Sequence, residues 1–495
     1  MPRTENERTE RRESEERETE RRTGKTRKKR NRQIMAVTWF FVGLFFVMMG
    51  YTCHYAVTHR QTLMNNSYNT RQEILVAQNS RGTIYAAGGQ ILAETATDED
   101  GEEVRVYPYA NMFSHAVGYA SNGRFGIEAQ ANYYLINSNT RFSEKVANDV
   151  AGKKYPGDSV ITTLDVDLQQ IAYDSLGMYS GAVIVSEPST GRILAMVSKP
   201  DFDPNEIDEI WDGLIADKES SVLLNRVTQG LYPPGSTFKI VTALEYIREN
   251  PDSYNQFRYQ CGGSFTHGEE RINCYHGTAH GSEDFSRAFA KSCNAAFANI
   301  GLSLNRKKFG DTLNDLLFNR ELKVDFAYNQ SRLVIDAETS DGDVMQAAIG
   351  QGTTQMTPLQ LNMITCAIAN GGMLMKPYLL ERVETSERTV VRQFSSDSYK
   401  RLMSEEEAQI MTGLMEEVVK SGTGTKLSGL SYTAAGKTGS AEYNKVKTDS
   451  HAWFTGFAPV EEPQVCVTII IEGAGSGGDY AVPIAKRILD ACFAQ

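Results

Sequence analysis

From Ile34 to Val57 the chain carries no Asp, Glu, Lys or Arg, and Trp39-Phe40-Phe41-Val42-Gly43-Leu44-Phe45-Phe46-Val47-Met48-Met49 is apolar whichever way a helix is turned. A helix with no polar side to give to water belongs in lipid or a large core. At ~1.5 Å per residue the charge-free segment reaches ~36 Å, enough to cross a hydrocarbon core of ~30 Å with some tilt. It runs into Cys53-His54-Tyr55 rather than a small-x-small cleavage site, so an uncleaved anchor is expected rather than a signal peptide. No second apolar run of spanning length follows.

Charge orients this anchor. Residues 1–33 hold thirteen Lys/Arg against eight Glu and close on Lys25, Arg27, Lys28, Lys29, Arg30 and Arg32. A basic flank stays on the cytoplasmic side, which places the about 435 residues after the anchor outside the cell membrane. The net charge of −11 leaves −16 for everything after residue 33, so nucleic acid is not an expected partner of the body. Among seven cysteines, Cys53 falls in the apolar run and six lie beyond it, an even number that permits disulfides without requiring them.

Residues 60–80 are polar and read as a stalk. Arg81-Gly82-Thr83-Ile84-Tyr85, a glycine turn and Gln90-Ile91-Leu92-Ala93 form a hairpin signal, and short apolar pieces up to about residue 155 suit a small pedestal. The pattern then strengthens. Strand is expected over 159–164, helix over 167–176, and an antiparallel pair over 181–185 and 192–197; a second pair is expected over 451–458 and 465–471, and a closing helix over 481–493. The middle reads as mostly helical, including Glu405 to Lys420. Strands at both ends with helices between predict one mixed α/β domain whose antiparallel sheet is completed by distant segments.

Tyr232-Pro233-Pro234-Gly235-Ser236-Thr237-Phe238-Lys239 breaks any earlier helix and starts a new one at the serine. Unpaired N–H groups at a helix start favour developing negative charge, and a residue three positions on shares the serine's face. Lys239 can therefore act as the base that a weakly nucleophilic Ser236 hydroxyl needs, provided burial or a neighbouring cation lowers its pKa. An isolated Ser-x-x-Lys is more often a helix cap beside a solvated lysine. Here no other lysine has a serine three residues before it.

This spacing resembles the first element of the Ser-x-x-Lys, Ser-x-Asn, Lys-Thr-Gly signature of penicillin-binding proteins and related β-lactamases. Lys437-Thr438-Gly439-Ser440 supplies the third element. Its rival, Lys420-Ser421-Gly422, is explained as a helix end with Gly422 as the cap. Ser253-Tyr254-Asn255, Ser292-Cys293-Asn294 and Ser303-Leu304-Asn305 all compete for the second. Ser292 is preferred because Phe289-Ala290-Lys291-Ser292-Cys293-Asn294-Ala295-Ala296-Phe297 is similar to the family's interhelical segment, although Cys293 departs from the commoner Asp.

Arg81-Gly82, Gly126-Ile127-Glu128, Gly191-Arg192-Ile193-Leu194-Ala195-Met196, Gly350-Gln351-Gly352 and Trp453-Phe454-Thr455-Gly456 further resemble the class B branch, which lacks a glycosyltransferase domain. The resemblance implies a charged cytoplasmic tail (1–33), a single transmembrane helix (34–57), a small β-rich, dimerisation-like pedestal (58–155) and a transpeptidase domain (156–495) with a central antiparallel sheet flanked by helices. It implies that Ser236 attacks D-Ala-D-Ala stem peptides and is trapped by β-lactams. Lys239 would take the proton and Ser292 would relay it to the leaving D-alanine. Asn294 would hold the donor amide, Lys437 and Thr438 the substrate carboxylate, and the N–H groups of Ser236 and Ser440, beside Gly439, the oxyanion. A polytopic lipid II polymerase of the rod-shape/division family is the implied partner. The competing readings are a hydrolase (DD-carboxypeptidase or β-lactamase) and a β-lactam sensor or scaffold.

One cluster stands outside this scheme. Cys261, His267, Cys274, His276 and His280 fall within twenty residues, with Cys293 shortly after. The chemistry above needs no cofactor. Cys274-Tyr275-His276 has ligand types suited to zinc, and a Cys261–Cys274 disulfide around a glycine-rich loop, unpaired side chains and a metal site built on Cys261, Cys274 and His276 are the three readings.

Overall fold

The apolar run forms part of one unbroken helix, Glu5–Thr58. Among the described residues this is the one helix long and apolar enough to span a membrane, and none of its apolar window is buried. Ahead of the apolar run, i,i+4 pairs such as Arg11–Glu15 and Arg22–Glu18 carry the helix through the charged tail, each worth about 0.3–0.5 kcal/mol. The computed structural model describes residues 5–58, 71–443 and 450–493 and divides into two units, Met1–Asn69 and Thr70–Gln495. The expected polar stalk lies outside the described residues as far as residue 70. Beyond it the chain is already ordered, as helix Arg71–Gln78 and strand Asn79–Ser80.

The hairpin signal near residue 84 produces strands Ile84–Tyr85 and Ile91–Thr97. They belong to a six-stranded sheet ordered Val390–Gln393, Leu380–Glu384, Ser159–Thr162, Ile84–Tyr85, Ile91–Thr97, Glu103–Val106. This sheet therefore runs across the expected boundary at 155/156 and recruits two strands from beyond residue 379. Gly82 is required where these strands close up, because a Cβ there would sit 2.0 Å from the Asp158 carbonyl oxygen.

The Arg81-Gly82 and Gly126-Ile127-Glu128 stretches, singled out together from sequence, meet through their side chains. Glu128 is fully buried and takes Arg81 at 2.6 Å on one oxygen and Arg105 at 2.7 Å on the other, while Arg81 also donates to Asn132. Burial alone would raise the Glu128 carboxyl, but the two guanidinium groups hold it below its ordinary value. Removing one member of such a set leaves charges uncompensated, at about 3–5 kcal/mol. Glu128→Ala is therefore expected to cost that much in urea unfolding, with less than 1 kcal/mol overturning the account.

The larger sheet has five antiparallel strands in the order Ala435–Glu442, Ser450–Ala458, Val465–Ile471, Gly181–Ser186, Ile193–Lys199. Its strands come from both ends of the domain, as the hairpin pattern predicted. Alternate residues face opposite sides. Val183, Val185, Val467 and Ile469 pack with Leu168, Ile488 and Leu489 from helices Val166–Leu176 and Val482–Phe493. Ala182, Ile184, Trp453 and Ile470 share the opposite core with helix Pro358–Ala369. Both faces are covered, so these strands read as continuous apolar runs.

On the second face a polar chain crosses the core. Ser186 donates to Asn362 (2.8 Å), Asn362 reaches Thr468 (3.3 Å), and Thr455 bridges Thr468 and Thr365 at 2.7 Å each. Asn362→Leu would leave the hydroxyl of Ser186 unpartnered in the core, an expected loss of about 1–3 kcal/mol by denaturant titration.

Candidate active site

The Pro-Pro-Gly-Ser segment is pinned from two sides. The Trp453 indole donates to the Pro233 carbonyl (3.1 Å), and the Gly235 N–H donates to the Gly350 carbonyl (2.9 Å). Gly235 has φ 53°, and a Cβ there would lie 2.8 Å from the Ser440 carbonyl oxygen. The turn is thus fitted against the sheet edge strand Ala435–Glu442. Ser236 sits in the 3-10 turn Gly235–Phe238, and the α-helix begins at Lys239 rather than at the serine as the sequence suggested.

Lys239 is fully buried and donates to the Ser292 carbonyl (2.6 Å), the Asn294 side-chain oxygen (2.7 Å) and the Ser292 hydroxyl (3.3 Å). None of these bonds goes to Ser236, contrary to the direct Ser236–Lys239 contact expected from the three-residue spacing. Three acceptors around one amine are the surroundings of an ammonium. Burial nevertheless pushes this lysine down to about 8. Lys437, also fully buried, donates to the same Ser292 hydroxyl at 2.9 Å. Burial, reinforced by the charge of Lys239, holds it well below the ordinary lysine value. The repulsion is mutual, so the two amines share their proton affinity as a pair.

Ser292 lies between helices Phe285–Ala290 and Asn294–Ser303 with φ 59°, a conformation uncommon outside glycine. The three candidates for the second element differ in what they touch. Ser292 meets both lysines, whereas Ser303 closes on the Ile300 carbonyl and Ser253 precedes the short turn Tyr254–Gln256. The carboxamide of Asn294 is engaged at both ends, by Lys239 and by the Asn273 carbonyl at 3.0 Å.

Ser236, Ser292, Asn294, Thr438, Gly439 and Ser440 line one cleft of about 400 Å³. Lys437 is buried and touches this cleft through its bond to Ser292. A second lobe of about 980 Å³ shares Ser236, Asn294 and Ser440 and continues past Gln351, Glu442 and Tyr480. Sequence reasoning missed Thr423, which also lines the first lobe and shares a 2.5 Å hydrogen bond between hydroxyls with Thr438. It directly follows Lys420-Ser421-Gly422, the stretch set aside as a helix end. Ser421 caps helix Glu405–Lys420, and Gly422 is needed for closeness rather than as a left-handed cap, since its Cβ would lie 2.3 Å from the Ala290 carbonyl oxygen. The glycine–threonine run Gly422-Thr423-Gly424-Thr425 was the available signal.

The cysteine cluster assembles differently from its sequence grouping. Cys261, Cys274, His280 and Cys293 converge. His276 is exposed beside the Tyr275 ring, and His267 pairs with Asp341 at 3.0 Å. All three thiols are free, with Cys261 and Cys274 sulfurs 3.7 Å apart rather than bonded.

Residues 181–490 match the penicillin binding protein transpeptidase domain, and residues 81–160 match the penicillin binding protein A dimerisation domain. Peptidoglycan D,D-transpeptidase PbpA of Mycolicibacterium smegmatis is 31 % identical over 465 residues, covering 86 % of this chain and 91 % of the relative. Peptidoglycan D,D-transpeptidase MrdA of Acinetobacter baumannii is 27 % identical, covering 78 % of this chain and 65 % of the relative. Among solved structures, penicillin-binding protein A from M. tuberculosis as a ceftriaxone acyl-enzyme superposes with a TM-score of 0.77 at 26 % identity, covering 85 % of this chain and all of that one.

Proposed function

The chain belongs to the class B penicillin-binding proteins, and from that premise we propose that it is a peptidoglycan D,D-transpeptidase working through an acyl-enzyme on Ser236. The observation that carries this is the convergence of Lys239 and Lys437, nearly two hundred residues apart in sequence, on the Ser292 hydroxyl beside the cleft that holds Ser236.

Ser236 Oγ attacks the carbonyl carbon of the penultimate D-alanine as its proton passes to Lys239. Lys239 must first give up its own proton and turn from Ser292 and Asn294. The substrate carboxylate assists by settling against Thr438 and Thr423, where its charge draws the shared proton toward Lys437 and leaves Lys239 neutral. The N–H groups of Ser236 and Ser440 stabilise the oxyanion, a contribution of about 3 kcal/mol per donor. Collapse breaks the amide C–N bond, and Ser292 relays the proton from Lys239 to the departing D-alanine nitrogen. Asn294 meets the donor amide by exchanging its bond to Asn273. An acceptor amine then attacks the ester, loses a proton and returns it to Ser236. A β-lactam enters the same way, but its leaving group stays tethered and the ester persists.

The two lobes meeting at Ser236 favour transfer over hydrolysis, since donor and acceptor strands must approach one carbon from different sides. A D-Ala-D-Ala donor offered with and without an amine acceptor tests this. Acceptor-linked product is expected to dominate when the amine is present. Release by water alone at an unchanged rate would instead make the protein a carboxypeptidase, and acylation without turnover would make it a sensor.

The spanning helix anchors the protein with its basic end in the cytoplasm and the catalytic domain outside. Its partner is a polytopic lipid II polymerase of the rod-shape/division family. This is supported by the spanning helix and by Phe142, Val146 and Val150, which stand exposed one turn apart along helix Phe142–Ala151. Phe142→Asp is expected to abolish co-purification with that polymerase in detergent, and retention would overturn the assignment of this face.

A further inference from the structure

Cys261 ends strand Arg258–Cys261, Cys274 follows strand Glu270–Asn273, His280 precedes strand Gly281–Asp284, and Cys293 caps helix Asn294–Ser303. Four segments thus deliver one soft or borderline donor each to a single point, with all four donor atoms within 4.8 Å of one another. Three of the residues are buried and His280 is partly so.

The spacings exclude one of the three readings left by the sequence and fit another. A disulfide requires sulfurs about 2.05 Å apart. Tetrahedral zinc, with Zn–S of about 2.3 Å and Zn–N of about 2.0 Å, sets its sulfurs about 3.8 Å apart and sulfur to nitrogen about 3.5 Å. The measured values are 3.7 Å for Cys261–Cys274, 3.8 Å for Cys274–Cys293 and 3.5 Å for Cys261 Sγ to His280 Nδ1. Three pairs of donors therefore stand at the edges of a zinc-sized tetrahedron.

A second observation points to a cation. Glu283 is 1 % exposed, and the Cys293 thiol is the one group its carboxylate faces at hydrogen-bonding range among the described residues. It lies three residues after His280. A buried carboxylate costs several kcal/mol unless positive charge is near; Lys239 supplies part of that charge from a distance, and a cation held by the thiols would supply it beside the carboxylate itself.

We propose that Cys261, Cys274, His280 and Cys293 bind one zinc ion that fixes the Ser292–Asn294 corner of the active site. Three thiolates with one imidazole select zinc over hard, oxygen-seeking cations. Such a closed set leaves no position for substrate, so the ion is structural. Its lever is short. Cys293 lies between Ser292 and Asn294, and the metal ties that left-handed corner to the Arg258–Asp284 strands, one of which also receives the Asn294 amide through Asn273. The existence of the site is independent of the catalytic roles proposed above, whereas its effect on acylation rests on them.

The full chain, purified in detergent without chelator, is expected to hold about one zinc per molecule by elemental analysis. Cobalt exchanged into the site should show the intense visible absorption of a tetrahedral thiolate complex. Cys261→Ser and Cys274→Ser should each lose the ion, whereas His267→Ala, outside the tetrad, should keep it. Stripping the wild-type protein should lower its melting temperature and slow penicillin acylation at least about tenfold, with both restored by zinc and neither by magnesium. Substoichiometric zinc, a cobalt spectrum without thiolate, or a Cys261–Cys274 disulfide in non-reduced peptides would overturn the site. Stoichiometric zinc whose removal leaves acylation unchanged would overturn the positioning role. Failure of the zinc-loaded protein to acylate at all would count against the catalytic reading instead.

Discussion

Replacing Ser236 by Ala is expected to remove covalent penicillin labelling and to lower D,D-transpeptidation by at least about ten-thousand-fold, because no other group can form the acyl ester. The expectation has a structural half. Ser236 is only partly buried and its side chain borders an open cleft, so losing one oxygen there changes stability by no more than about 0.5 kcal/mol. The turn itself is held by bonds through Pro233, Gly235 and Thr237, none of which the substitution touches. Intact-protein mass spectrometry after penicillin treatment, beside a thermal melt, reads both halves. A penicilloyl adduct on the Ser236→Ala protein would place the nucleophile elsewhere. An absent adduct together with a collapsed melt would mean that the serine supports the fold.

Lys239→Met should slow acylation by about 10²–10⁴-fold while preserving much of the buried volume. The wild-type pH profile supplies a sharper test, because the neutral amine is the active form. With Lys239 pushed down to about 8 by burial, acylation should fall about tenfold per pH unit below that value and level off above it. Stopped-flow acylation by a chromogenic cephalosporin measures this limb. A flat profile from about pH 6 to 9 in the wild type would remove Lys239 as the base.

Lys239 also shows why spacing alone was insufficient. Its place one turn after Ser236 was legible, but its bonds to Ser292 and Asn294 depend on a segment fifty residues away. Thr423 was passed over for the related reason that a helix-ending Lys-Ser-Gly has a complete local explanation. Its role follows from the approach of the edge strand carrying Thr438. By spacing His276, two residues after Cys274, was the expected ligand, yet the backbone at Tyr275–Gly277 turns with φ 52° at His276 and leaves that ring exposed while His280 joins the thiols.

The amino-acid sequence by itself determined the long apolar N-terminal helix, the two hairpins of the large sheet, the one-turn spacing of Ser236 and Lys239, and the Lys437-Thr438-Gly439 strand. Each of these rests on periodicity, turn chemistry or a motif within a dozen or so residues, where neighbouring side chains decide the outcome. Tertiary structure alone decided which Ser-x-Asn meets the lysines, which histidine joins the three cysteines, and that strands 159–162 and 380–384 share a sheet with the pedestal. Those choices are made by contacts closing loops of tens to hundreds of residues. Their energy comes from burial and hydrogen bonding that exist only once the chain has folded.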